Sequence, residues 1–463
     1  MKQYTNWGRK IAAWVTLCVG GLAVTGCGNG SNSQPRGPSR APFSNAVGSM
    51  RTISLNGQID LDNPFFENLG TNGRTCAACH VADDGWTITP VHLQAIFDAT
   101  NGLDPVFRPV DGSNSPNADV STIEARRQAY TMLLTKGLIR VGIGIPTDAE
   151  FELVAVDDPY GFASAAELSL FRRPLPATNL AFLSTVMWDG RETFKDQSVD
   201  FDLADQANSA TMGHAQAAQP LTERQRQQIV DFETALFTAQ DSDDRAGSLQ
   251  AQGARGGPEA LSAQPFFIGI NDSLGHNPTG AAFTPTVFTL FDAWRAVSQG
   301  SPRQIAMRQS IARGEAIFNS KPISITAVNG LNDDLNQASI DGTCGTCHDS
   351  PNVGDHSVPA PLDIGLTDAS RRTPDMPLYT LRDKVSGNTV QTTDPGRALI
   401  TGKWKDIARF KGPILRDLAA RPPYFHNGSA ATLADVVTFY NGRFNIGLTS
   451  DEQADLVNFL GAL

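Results

Sequence analysis

Apolar positions along the chain fall into distinct regimes. Ile11 to Val24 is an uninterrupted apolar run without charge, preceded by Lys2, Arg9 and Lys10. It is too short for a comfortable membrane span and carries a basic flank, which predicts an export leader over residues 1–26. Residues 28–48 are rich in Gly, Ser, Asn, Pro and Arg and have little to bury. They predict a flexible tether over 27–50, with folded sequence from about Arg51. Beyond that point helical spacing dominates. Leu221–Leu236 (LTERQRQQIVDFETAL) and Leu448–Leu463 (LTSDEQADLVNFLGAL) align without a gap. In each, a Thr followed three residues later by Gln or Glu (Thr222 and Gln225, Thr449 and Glu452) has capping-box spacing. Ile229, Phe232 and Leu236 fall on one helical face, as do Leu456, Phe459 and Leu463. Further helix signals lie at Ile123–Leu134 and Arg308–Phe318, whereas alternating strand runs are few. With 42 Gly and 28 Pro, the remainder predicts loop. The expected class is mainly α with extensive loops.

The two matching helices suggest duplication. Upstream of them, Met187-Trp188-Asp189-Gly190 is similar to Phe425-His426-Asn427-Gly428, and each follows a Pro-rich approach, Pro174–Pro176 or Pro422–Pro423. This predicts two related halves, 51–245 and 301–463. Between them, 246–300 reads as a linker and inter-domain element, with a Gly-rich stretch at 253–257 and an apolar segment at Pro285–Trp294.

Cysteine placement gives the halves their chemistry. Of six cysteines, four stand in Cys76-Ala77-Ala78-Cys79-His80 and Cys344-Gly345-Thr346-Cys347-His348. Cys-x-x-Cys-His is the attachment string of c-type haem. Its thiols form thioethers to the porphyrin, and its histidine supplies an axial nitrogen to iron. A zinc site needs no histidine directly after the second cysteine of both pairs. The string predicts two covalently bound haem c groups, with His80 and His348 as iron ligands. The other cysteines, Cys18 and Cys27, lie in the leader region. Val24-Thr25-Gly26-Cys27 resembles a bacterial lipoprotein cleavage site, so Cys27 is the expected lipidation point. The implied location is the cell envelope, periplasmic and lipid-anchored, with the outer membrane favoured. A net charge of −11 argues against a nucleic-acid partner.

Both haem strings, Trp188-Asp189-Gly190-Arg191, and the run from Pro413-Ile414-Leu415-Arg416 through Pro423-Tyr424-Phe425-His426-Asn427-Gly428 to Tyr440 resemble the bacterial di-haem cytochrome c peroxidase family, on its MauG-like branch. The resemblance spans about residues 60–463. It implies two cytochrome-c-like haem domains, peroxide binding at the N-terminal haem, and electron transfer or storage of oxidising equivalents at the C-terminal one. It also implies that Trp188 lies between the haems, that Tyr440 is the sixth ligand of the second haem iron, and that a calcium ion can sit near Arg421 and Pro423. Met376, His356 and His426 are fallback sixth ligands. Relatives place a Glu after the Trp-Asp-Gly-Arg motif; Asp205 to His214 here (DQANSATMGH) contains none. Gln197 is then a candidate hydrogen bonder beside bound peroxide. His214 is the candidate acid–base group, or else a sixth ligand to the first iron. Arg191 suits a haem propionate. The expected reactant is hydrogen peroxide or dioxygen, with a redox protein or a protein substrate as partner. The alternatives are a tethered electron carrier without enzymatic activity, or an oxygenase acting on an external apolar substrate.

Overall fold

The computed structural model describes residues 42–463, and these form one compact unit. The expected leader, the lipidation point Cys27 and most of the tether lie outside the described residues. The tether's final residues do not behave as expected. Phe43–Asn45 and Gly48–Ser54 are antiparallel strands, and the latter runs along Leu236–Asp243, which also pairs with Gly247–Ser248. Met50 and Thr52 are fully buried in this ladder. Strand pairing, rather than apolar content, orders this stretch.

The fold class is corrected. The chain is mixed α/β: among the described residues, strands form one four-stranded, one three-stranded and two two-stranded sheets. Phe151–Asp157 pairs with Leu378–Asp383, which pairs in turn with Thr389–Thr392. Ile139–Ile143 pairs with Leu168–Arg172, and Ile323–Thr326 with Ser339–Gly342. These strands are short, and several find partners hundreds of residues away. Their ladder hydrogen bonds are long-range, so a local reading for periodicity reads them as loop. A core of Phe151, Leu168, Leu170, Tyr379, Leu381 and Leu399 sits on this β lobe.

The two matching helices form as Glu223–Thr234 and Ser450–Gly461, each with its capping box complete, a motif whose cap is worth about 1 kcal/mol. The first stops short of Leu236, which opens the long strand. Ser450–Gly461 packs against Pro302–Ser320, where Gly314 faces the Asp455 backbone so closely that a Cβ would overlap the Asp455 carbonyl oxygen. Asp455 then accepts from Ser310 Oγ (2.5 Å) and from Arg313 Nε and Nη2 (2.7 and 2.8 Å). The apolar Pro285–Trp294 segment lies in this core with Phe318 and Phe459. It has no strand partner. Its N–H groups are met by polar side chains of the Pro302–Ser320 helix: Asn319 Oδ1 accepts from Val287 and Phe288 (2.9 and 3.0 Å), and Glu315 Oε1 from Leu290 (2.6 Å). Among the described residues no helix is long and apolar enough to cross a membrane.

Candidate functional site: two cavities and the wall between them

Each Cys-x-x-Cys-His string opens as a single 3-10 turn, Cys76–Ala78 or Cys344–Thr346, on the wall of its own cavity. The turn folds the histidine back, with His80 N donating to Cys76 O (3.0 Å) and His348 N to Cys344 O (3.1 Å). Each imidazole is then pinned by a carbonyl. His80 Nδ1 meets Trp86 O at 3.1 Å and His348 Nδ1 meets Gly354 O at 2.6 Å. A carbonyl only accepts, so Nδ1 carries the proton and Nε2 keeps its lone pair for a metal. Burial pushes both rings down to about pKa 4, which holds them neutral. Burial also pushes the thiols up, Cys76 to about 12 and Cys79 to about 11. Such unionised, apolar-packed sulfurs suit thioether bonds better than a bare cation.

One face of the Val199–Gly213 helix lines the first cavity through Leu203, Gln206, Ala207, Ala210 and Thr211, and His214 caps its end. His214 Nδ1 bonds Asp111 Oδ2 at 2.5 Å, and Asp111 pairs with Arg74 through its other oxygen. Arg74 is further fixed by the carbonyls of Pro105 (2.8 Å), Val106 (2.7 Å) and His214 (3.2 Å). Burial alone would raise the Asp111 pKa; Arg74 and then His214 outweigh it and hold the carboxyl below its ordinary value. The Asp111 carboxylate accepts the Nδ1 proton, which leaves His214 Nε2 without a hydrogen-bond partner among the described residues. Gln197 is not at this site. It is exposed, on the turn before the helix, and Gln206 occupies the wall instead. Helical spacing from Leu203 through Gln206 and Ala210 to His214 marks that face. Nothing local to the sequence marks Asp111 or Arg74.

Trp188 borders both cavities, as do Arg173, Lys411 and Arg421. Its indole N–H donates to Arg173 O (2.8 Å), and its carbonyl accepts from Lys411 N (2.9 Å). The next residue, Asp189, is fully buried. It accepts from Arg172 Nη1 (2.5 Å) and from Arg191 Nη1 (3.2 Å to each oxygen), and Arg172 continues to Asp394 (2.7 and 2.9 Å). Arg191 lines the first cavity from this network. Lys411, buried with its Nζ on Thr185 O (2.9 Å), is pushed down to about pKa 8 by burial. Where calcium is expected, the Arg421 carbonyl faces the Arg173 guanidinium at 3.5 Å, and a fixed cation disfavours a second one there.

In the second cavity Tyr440 lies with its ring centre 6.4 Å from that of His348, and its hydroxyl makes no hydrogen bond among the described residues. Burial raises the phenol's pKa. His426 lines the same cavity, stacked on Phe410 at 4.0 Å and 6.1 Å from Trp188. Both of its ring nitrogens are buried without a partner, the mark of a group awaiting a ligand. Met376 and His356 are elsewhere. Met376 packs with Met132, Leu138 and Phe171, and His356 is buried behind the attachment string. Orphaned nitrogens, free Nε2 positions and apolar walls together fit c-type haem.

No family model matches the chain. Among curated proteins, cytochrome-c peroxidase IdrP1 of Denitromonas iodatirespirans is 29% identical over 189 residues, 37% of this chain and 44% of that one. Cytochrome-c peroxidase IdrP2 of the same organism is 32% identical over 132 residues, 26% of this chain and 36% of that one. Cytochrome c551 peroxidase of Nitrosomonas europaea is 40% identical over 76 residues, 16% of this chain and 23% of that one. The chain thus spans less than half the length of the curated relatives it matches. A solved MauG-like protein associated with microbial copper homeostasis aligns over 87% of this chain and 86% of its own, at TM-score 0.38 and 15% identity, too loosely to carry an argument. With its paired attachment strings, the chain is similar over part of its length to bacterial cytochrome-c peroxidases.

Proposed function

We propose that the chain is a di-haem c oxidoreductase that activates hydrogen peroxide at its first site and exchanges electrons with its second through Trp188. The observation that carries this reading is the pair of cavities, each walled by one attachment string with an Nδ1-anchored imidazole, with a single indole bordering both. Bound haem would supply the iron that takes up peroxide and the redox couple that feeds it. The protein's part is proton handling and placement. His214, its tautomer set by Asp111, accepts a proton from the entering peroxide and returns it to the departing oxygen, a role worth about 10²–10⁴-fold in rate. Arg191, held by Asp189, and the Gln206 amide offer donors to oxygen atoms in the same cavity. Tyr440, as on the MauG-like branch, would hold the second iron through its phenol oxygen, its proton passing to solvent; a phenolate donor would favour the ferric state and lower that haem's potential. Residues 51–245 serve the first haem, 301–463 the second, and 246–300 joins them. A redox protein or a protein substrate exchanges electrons with the second site. The chain acts in the periplasm, tethered by lipid on Cys27.

A pyridine haemochrome assay should return two haems per chain. Electron paramagnetic resonance of the resting protein should give two distinct ferric signals, and stopped-flow mixing with peroxide a rapid Soret shift. Two six-coordinate haems inert to cyanide and peroxide would make the protein an electron carrier and end the enzymatic reading.

A further inference from the structure

Behind the second attachment string, Asp272, Asp349 and His356 converge. One ligand atom from each lies within 4.8 Å of the others, and their side chains are 0%, 0% and 3% exposed. Each carboxylate has one oxygen held by an outer donor and one left free. Asp272 Oδ2 accepts from the His276 backbone N–H (2.9 Å) and from His276 Nδ1 (2.7 Å), while Oδ1 has no partner. Asp349 Oδ1 accepts from Ser357 N (2.7 Å), while Oδ2 has none. His356 is unpartnered at both ring nitrogens; Nδ1 stands 3.3 Å from Asp349 Oδ2, misaligned for a hydrogen bond. Buried polar atoms are rarely left unsatisfied, and here three side chains that carry such atoms converge on one spot.

We infer that these three side chains form a binding site for a divalent first-row metal ion of the zinc type, separate from either haem. Two carboxylate oxygens and one imidazole nitrogen make a donor set that suits zinc; three donors are too few and too nitrogenous for a calcium cage. Tetrahedral zinc at about 2.1 Å from each ligand would hold them roughly 3.4 Å apart, so closure needs only small side-chain rotations. The outer donors already aim the free lone pairs, as the partners of a metal's ligands do. The ion would staple two stretches already in contact. Gly269 N donates to Ser357 O (2.7 Å), and Asn271 Nδ2 donates to Asp349 O (3.0 Å). It would thereby fasten the 246–300 segment to the string that carries the second haem. His276, bonded to Asp272 at the surface, is a positioning residue.

The test uses haem-loaded protein, whose cysteines are alkylated and cannot take zinc. After dialysis against EDTA, zinc chloride is titrated against a chromophoric chelator, and bound zinc is counted against haem iron by mass spectrometry. The wild type should bind roughly one zinc per chain. His276→Asn should weaken binding about 10–100-fold, the usual loss for an outer partner, and Asp272→Asn or His356→Asn by more. Soret intensity and circular dichroism check that each variant is folded. A wild type that takes up no zinc at micromolar free metal overturns the inference, whatever the variants do. So does zinc retained with unchanged affinity by folded Asp272→Asn and His356→Asn proteins.

Discussion

Asp189→Asn removes one charge from the densest polar network beside the cavities. The carboxylate is fully buried and bound by Arg172 and Arg191. Burial pushes its pKa up, but Arg172 and then Arg191 outweigh this and bring it from 3.8 down to about 2. At about 1.4 kcal/mol per unit, that shift corresponds to roughly 2 kcal/mol of stability. The sign follows from the direction. The folded-state pKa lies below the unfolded one, so the contribution is complete above about pH 4 and disappears as pH falls toward 2. The substitution also leaves Arg172 buried with Asp394 alone, and breaking one member of a buried charge cluster costs about 3–5 kcal/mol. Guanidinium melts followed by far-ultraviolet circular dichroism should show a loss of that size at pH 7. The gap between variant and wild type should narrow by about 2 kcal/mol between pH 5 and pH 2.5. A variant as stable as wild type at neutral pH, or a gap that is constant across this range, would refute the assignment of Asp189 as an ionised, doubly bound group.

Further predictions concern the cavities and the helix contact. His214→Leu should slow the peroxide-induced Soret change by about 10²–10⁴-fold, whereas Gln197→Ala, at an exposed position, should leave it unchanged; stopped-flow absorbance reads both. Tyr440→Phe should alter the ferric resonance signal of one haem only, with His426→Ala altering neither signal if the phenol is the ligand. Gly314→Val, which drives a branched side chain into the Asp455 carbonyl, should cost at least the 1–3 kcal/mol typical of overpacking, measured as a lowered melting temperature.

What the sequence reveals depends on how far apart the participants are. The attachment strings and the capping boxes at Thr222 and Thr449 are legible because each is carried by a few consecutive residues. Helical spacing over Val199–Gly213 separates Gln206, on the cavity face, from Gln197, which precedes the helix. The partners are another matter. Asp111 is far from His214 in the chain, and Asp394 from Arg172; only folding brings them together. The strands fail to announce themselves for the same reason, since Phe151–Asp157 is completed by Leu378–Asp383. His356 looks like a haem ligand by residue type alone, and its burial behind the string removes it from that role.

The orientation of the His80 imidazole is decided near the start of the described residues. His80 leans on the Trp86 carbonyl, and the Trp86 indole donates to Thr52 Oγ1 at 2.9 Å, in a strand secured by Thr238. Any shortened form of the protein that begins beyond Thr52 would therefore loosen the seating of the His80 imidazole nearly thirty residues downstream, without touching a single atom of the attachment string.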